Sequence, residues 1–93
     1  MKAEGIEWDN GNWPKCGKHG VSREEIEHLF FRSDIKIALD EKHSTPTEER
    51  MIAVGKVKGR NLLVVFAYRN GNIRPISARY MHAKEVKTYA QGS

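Results

Sequence analysis

Five arginines in the second half of the chain, Arg50, Arg60, Arg69, Arg74 and Arg79, have the type and spacing that most suggest chemistry. A guanidinium keeps its proton at physiological pH and presents a planar fork that matches two phosphate oxygens. All five fall at or near segments with strand patterning, so a sheet would display them as a basic surface. Arg79 and Arg69 are the first choices for clamping a phosphate, followed by Arg50 and then Arg60. Simple alternation puts Arg74 and Ile76 on one face of their strand and Pro75, Ser77 and Arg79 on the other. Proton transfer has three candidates, His19, Tyr80 and His82. A histidine titrates near neutral pH and needs only a small shift to act as base or acid. Tyr80 adjoins Arg79, whose charge would tune its acidity. The residues leave open which of the three takes which role. Lys18, beside His19, is a further phosphate contact. Glu48 and Glu49 directly precede Arg50 and read as its salt-bridge partners rather than as a base.

The charge distribution supports a polyanion partner. The 93 residues carry a net charge of +4, but residues 1–41 hold six Lys/Arg against nine Asp/Glu, whereas residues 42–93 hold ten against three. Lysines and arginines facing phosphate gain affinity by releasing condensed counterions. Charge alone does not separate this from a solvated basic face.

Other chemistries find little support. Cys16 is the only cysteine, which rules out an internal disulfide framework and fits a reducing cytoplasm. Cys16-x-x-His19, with His28, His43 and His82 elsewhere, offers one thiolate and no second tight pair, so no metal site is expected. No Walker loop, nucleophile elbow or dinucleotide fingerprint occurs, and no cofactor is expected. The longest apolar stretches, Phe30-Phe31 and Leu62 to Ala67, are far shorter than a membrane span. The start of the chain does not read as a signal peptide, because Lys2 is followed by charged residues and glycine.

The elements that must position these side chains follow from local patterning. An apolar share of 39% and a charged share of 30% suit one soluble domain with a modest core, spanning residues 1–93. Asp9-Asn10 could cap a short helix through Trp13, Lys15 and Cys16, closed by Gly20. Ser22-Arg23-Glu24-Glu25 is a capping box, with Val21 and Ile26 at the positions of a hydrophobic staple. Ile26, Leu29 and Phe30 then recur at helical spacing up to Arg32-Ser33. Ile35, Ile37 and Leu39 alternate as a strand with one buried face, and a polar loop with Pro46 follows. Arg50 to Val57, Leu62 to Tyr68 and Ile73 to Arg79 read as three more strands, joined by Lys58-Gly59-Arg60-Asn61 and by the Asn70-Gly71 hairpin signal. Leu62 to Tyr68 is the most apolar and β-branched, hence central. Pro75 cannot donate to a ladder, so its strand lies at an edge or bears a bulge. Ile76 and Ala78 read as core. Residues from about His82 to Ala90 look helical, with Val86, Tyr89 and Ala90 on one face. The fold class is therefore α+β, with two N-terminal helices, a four-stranded antiparallel sheet and a C-terminal helix.

Taken in order, several short motifs together resemble the BrnT toxins. They are Ile6-Glu7-Trp8-Asp9, Lys18-His19-Gly20-Val21-Ser22, Gly59-Arg60-Asn61-Leu62 leading to Tyr68-Arg69, and Arg74-Pro75-Ile76-Ser77-Ala78-Arg79, with Glu85 and Tyr89 behind. The resemblance runs from about residue 5 to residue 90. It implies a RelE-like fold and ribonuclease activity that arrests growth. It also implies neutralisation by a BrnA-type antitoxin of ribbon-helix-helix type, through which the complex would bind operator DNA. A metal-free ribonuclease makes the ribose 2′-hydroxyl attack the adjacent phosphorus. That reaction needs a base for the hydroxyl proton, cations for the charge growing on phosphate and an acid for the departing 5′ oxygen. Arg79, Tyr80, His19, Arg69 and His82 are the expected catalytic set, with Lys18, Arg50 and Arg60 holding RNA phosphates. The alternative is a non-catalytic RNA-binding or co-repressor module that acts only with its antitoxin.

Overall fold

In a computed structural model of the protein, which describes residues 5–32, 34–42 and 44–91 (for 89–91 the backbone only), the capping box forms as its sequence predicts. The Glu25 amide donates to Ser22 Oγ at 3.1 Å, and the Ser22 amide donates to Glu25 Oε1 at 3.2 Å. Two of the amides left over at a helix start are thereby satisfied, and such a cap is worth about 1 kcal/mol. The helix it starts, α2 (Arg23–Phe31), buries Ile26 and Leu29 completely. The staple residue Val21 is also buried, and Phe30 meets Phe66 edge to face with ring centroids 5.1 Å apart. Ahead of it lies α1 (Trp13–Gly17). Gly20 follows at φ +82°, and its amide donates to the Gly17 carbonyl at 3.1 Å. Asn12 is the N-cap of α1 but makes no capping bond, and the Asp9 carbonyl instead accepts the Trp13 amide at 3.1 Å.

Four antiparallel strands form one sheet in the order β1 (Lys36–Leu39), β2 (Arg50–Val57), β3 (Arg60–Arg69) and β4 (Asn72–Tyr80). Both hairpins use two-residue turns with positive φ, Lys58-Gly59 at +50° and +78° and Asn70-Gly71 at +53° and +81°. These angles match the right-handed twist of paired strands. Helices α1 and α2 cover one face, over a core of Ala53, Val57, Leu62, Val64, Phe66, Ile73 and Ala78. Close approach of α2 depends on Gly55: a Cβ there would sit 2.7 Å from Leu29 Cδ1 and 3.1 Å from Ile35 Cγ2. The closing helix is α3 (Ala83–Gln91). The α+β class and its element order are as the sequence implies, and among the described residues no helix is long and apolar enough to cross a membrane.

Two expectations need correction. Ile37 and Leu39 were to form a buried face of β1, yet they are 38% and 44% exposed. The strand is a short sheet edge, and α2 packs mainly over β2 and β3. The second correction concerns β4. Val65 pairs with Ser77 and Phe66 with Pro75, which leaves Ile76 as the extra residue of a β-bulge. Pro75 offers no N–H, so the break in the ladder falls beside it. Beyond the bulge the alternation is inverted. Ile73, Pro75 and Ala78 face the helices, whereas Arg74, Ser77 and Arg79 share the opposite face. Ile76 is only half-buried, and it belongs to that second face rather than to the core. His43 and the side chains of Tyr89 and Ala90, considered above, lie outside the described residues.

The N-terminal segment completes the outer edge of β4. The Glu7 amide donates to the Ile73 carbonyl at 2.8 Å, and the Ile73 amide to the Gly5 carbonyl at 2.9 Å, in a parallel bridge. Asn12, 2% exposed, fastens this segment from inside. Its amide donates to the carbonyls of Glu7 (2.9 Å) and Pro75 (2.8 Å), and its Oδ1 accepts the Asp9 amide at 2.8 Å.

Candidate active site

On the sheet face opposite α1 and α2, strand register sets Arg50, Ala67 and Arg74 in one row across β2, β3 and β4. Neighbouring strands are about 4.8 Å apart, so two arginine side chains rise from either side of a small alanine. Arg69, two residues further along β3, projects on the same side. The three guanidiniums, with Gly11, Asn12, Lys15, Glu48 and Ile76, line a polar cleft of about 170 Å³ at the Asn70-Gly71 end of the sheet.

The three arginines are held very differently. Arg74 is nearly enclosed, with 12% of its side chain exposed, and donates to Glu7 Oε1 at 2.8 Å and to Asp9 Oδ2 at 2.7 Å. A further bond to Asp9 Oδ1 spans 3.1 Å. The Arg74 guanidinium, helped by the Gly11 amide, holds the Asp9 carboxyl at about 2, well below the usual carboxylate range. The same bonds raise the Arg74 pKa further. Arg74 is thus a neutralised strut that pins the N-terminal segment to β4. Arg69, by contrast, is 47% exposed and only approaches Glu7 and Glu48, at 3.7 and 3.8 Å. These distances are ion pairs without hydrogen bonds. Arg50 Nε stands 3.5 Å from Glu48 Oε1, is buried, and has no hydrogen-bond partner among the described residues. A buried donor left in that condition costs free energy, which an anionic ligand oxygen would recover.

The loop before β2 is well fastened. Thr45-Pro46-Thr47-Glu48 forms a turn in which the Thr45 amide donates to the Glu48 carbonyl at 2.8 Å and the Glu48 amide to Thr45 Oγ1 at 3.0 Å. Ser44 Oγ accepts the Arg50 amide at 2.8 Å and donates to the Asp40 carbonyl at 2.7 Å. The turn therefore fixes the backbone of Glu48, and ion pairs hold its carboxylate beside Arg50 and Arg69.

The other residues expected from the sequence lie elsewhere. Arg79 shares the cleft's face but sits five residues along β4 from Arg74, about 15 Å at strand rise. It forms a bidentate pair with Glu85 of α3, at 2.6 and 2.7 Å. Glu85 also accepts the His82 amide at 3.1 Å, and the Arg79 guanidinium followed by that amide holds its carboxyl at about 2. Arg79 thus anchors the start of α3. Tyr80 faces the opposite side of the sheet, its hydroxyl donating to Glu25 Oε2 at 2.7 Å and its ring covered by the Arg60 guanidinium 3.4 Å from the centroid. The bond to Glu25 raises the tyrosine's pKa. Lys18 and His19 are exposed between α1 and α2, and the His82 side chain is exposed before α3. None of the three lines the cleft. Cys16 is fully buried, and burial pushes its thiol up to about 11. Among the described residues, no three His, Cys, Asp or Glu side chains gather as metal ligands would.

A family model described as "Ribonuclease toxin, BrnT, of type II toxin-antitoxin system" matches residues 8–85. The chain belongs to this family. A search of curated proteins finds no match. Membership in the BrnT family makes the chain a ribonuclease toxin of a type II toxin-antitoxin system, with RNA as substrate and an antitoxin as partner. The matched span takes in Lys15, Glu48, Arg50, Arg69 and Arg74, and therefore every charged side chain lining the cleft. Of the eight residues expected to act on RNA, the fold brings Arg50 and Arg69 together there. It adds Arg74, rated lower from the sequence, together with Lys15 and Glu48. The sequence signal for Glu48 was its place two residues before Arg50 and after the Pro46 turn. That signal also fits a simple salt bridge, and choosing between the two takes the position of Arg69.

Proposed function

We propose that this BrnT-family chain is an endoribonuclease that cuts RNA by attack of a 2′-hydroxyl on the adjacent phosphorus without a metal ion, and that the cleft between Arg50, Arg69 and Arg74 is where the phosphate binds. The observation that carries this reading is the Arg50 Nε donor, buried with no hydrogen-bond partner among the described residues, beside the half-exposed Arg69 guanidinium. Two fixed cations and Lys15 provide the positive charge that a pentacoordinate phosphate demands. RNA cleavage arrests translation and growth in the cytoplasm. A BrnA-type ribbon-helix-helix antitoxin neutralises the enzyme, and the complex binds operator DNA through that antitoxin.

The test is incubation of purified protein with RNA in excess chelator. Fragments ending in 2′,3′-cyclic phosphate and 5′-hydroxyl are expected at an undiminished rate. Loss of cleavage in chelator refutes the metal-free mechanism. RNA that is bound but never cut favours the non-catalytic module instead.

A further inference from the structure

Three carboxylates border the cleft, and their states differ. Asp9 is engaged by two bonds from Arg74 and one from the Gly11 amide. Glu7 accepts a 2.8 Å bond from Arg74. Glu48 receives no hydrogen bond on either oxygen among the described residues, and only its ion pairs to Arg50 at 3.5 Å and Arg69 at 3.8 Å reach it. Its side chain is one-third exposed, while its backbone is locked by the Thr45 turn. The result is a carboxylate on a fixed backbone, with no hydrogen bond to it among the described residues, flanked by the two guanidiniums best placed to hold a phosphate. No described histidine lines the cleft to compete for the role.

We infer that Glu48 is the general base of the cleavage reaction, taking the proton from the ribose 2′-hydroxyl while Arg50 and Arg69 grip the neighbouring phosphate. The inference rests on the cleft being the RNA site. As the proton moves from O2′ to the Glu48 carboxylate, the O2′–P bond forms and the P–O5′ bond breaks. The departing 5′ oxygen takes a proton from the Lys15 ammonium. The products are a 2′,3′-cyclic phosphate and a 5′-hydroxyl, after which Glu48 loses its proton to water and Lys15 regains one. Geometry favours Glu48 on a second ground. A base must stand next to the phosphate clamp without being consumed by it, and ion-pair contacts at 3.5–3.8 Å hold the carboxylate near the guanidiniums while leaving its hydrogen-bonding capacity to the substrate.

The experiment compares wild type, Glu48→Gln, Glu48→Asp and Arg69→Ala on a short single-stranded RNA, measuring kcat, KM, RNA affinity and the pH–rate profile. Glutamine keeps the shape and the turn but cannot take the proton. Glu48→Gln is expected to lower kcat by about 10²–10⁴-fold with RNA affinity kept or improved, and to abolish the limb in which the wild-type rate rises with pH. Glu48→Asp should retain that limb at a reduced rate. If Glu48 only held the arginines in place, Glu48→Gln would weaken RNA affinity along with the rate and leave the pH limb intact, which overturns the inference. Cleavage by Glu48→Gln within threefold of wild type overturns it too. Arg69→Ala separates the two levels of the reading. Loss of RNA binding in Arg69→Ala alongside an active Glu48→Gln leaves the cleft standing and removes only the base. Unchanged binding and cleavage in Arg69→Ala removes the cleft, and the base with it. A wild type that cuts no RNA overturns both.

Discussion

Asn12→Ala is the substitution whose cost the structure specifies most fully. Asn12 is 2% exposed, and its side chain makes three hydrogen bonds that join the N-terminal segment, the start of α1 and the bulged part of β4. Truncation leaves the Asp9 amide and the Glu7 carbonyl able to turn toward water, at about 1 kcal/mol each, while the Pro75 carbonyl stays buried without this donor, at about 1–3 kcal/mol. The expected loss is at least about 3 kcal/mol, a large share of the stability of a domain this size. In a chain this short, it lowers Tm by about 12 °C or more. The assay is thermal unfolding followed by circular dichroism, with urea unfolding to check that the transition stays two-state. Because Asn12 also sets the segment that carries Glu7 and Asp9 to Arg74, RNA affinity should fall even at temperatures where the variant is folded. Asn12→Asp is a sharper control. Its carboxylate can still accept the Asp9 amide but faces two carbonyls with no donor, so the loss should be at least as large at neutral pH and shrink as the carboxyl protonates. An Asn12→Ala variant melting within about 3 °C of wild type would refute the idea that this amide fastens the segment.

Other outcomes follow from the same contacts. Arg69→Ala removes weak, half-exposed ion pairs, which are worth about 0–1 kcal/mol, so Tm should barely move. The salt dependence of RNA binding should become shallower by about 0.7 in log–log slope if one phosphate contact is lost, and an unchanged slope counts against the cleft. Gly55→Ala drives a methyl to 2.7 Å from Leu29 Cδ1 and should cost about 1–3 kcal/mol, read as a lower urea midpoint; an unaltered midpoint would mean that α2 moves aside without penalty. Glu85 has its pKa depressed from 4.5 to about 2, so its pairing with Arg79 contributes fully above pH 4.5 and is lost as pH falls toward 2. Protection factors of the α3 amides, taken relative to the intrinsic exchange rate at each pH, should fall across that window in wild type and be low throughout in Arg79→Ala, and equal protection in the two proteins would show that the pair does not anchor the helix.

What could be read from local sequence was what local physics decides. The start of α2 was legible because Ser22 and Glu25 satisfy each other's amides within one turn. The β3–β4 hairpin was legible because Asn70-Gly71 places glycine where φ must be positive, while the turn read over Lys58-Gly59-Arg60-Asn61 contracts to Lys58-Gly59 because Arg60 and Asn61 already pair with β2. The bounds of β2, Arg50–Val57, came from its own pattern of apolar residues and charges. The burial of Ile37 and Leu39 was misjudged, since alternation says which residues share a face but not whether a helix covers it.

The basic arginines and the family resemblance were therefore present in the chain itself, and so was the chemistry that guanidiniums bring to a phosphate. Only the tertiary structure decided which of those arginines meet. A single bulge at Ile76, fixed by pairing with β3 and by the missing N–H of Pro75, inverts the alternation of β4 and places Arg74 and Arg79 on one face, with Tyr80 on the other. Register between β2, β3 and β4, a property of pairing between segments, sets Arg50 and Arg74 on either side of Ala67. The N-terminal segment then closes on β4 and occupies Arg74 with Glu7 and Asp9, while Arg69 and Arg50 keep only looser contacts, with Glu48 between them. Sequence spacing carries no such information, because the partners are tens of residues apart and each contact depends on a register that only the assembled sheet sets.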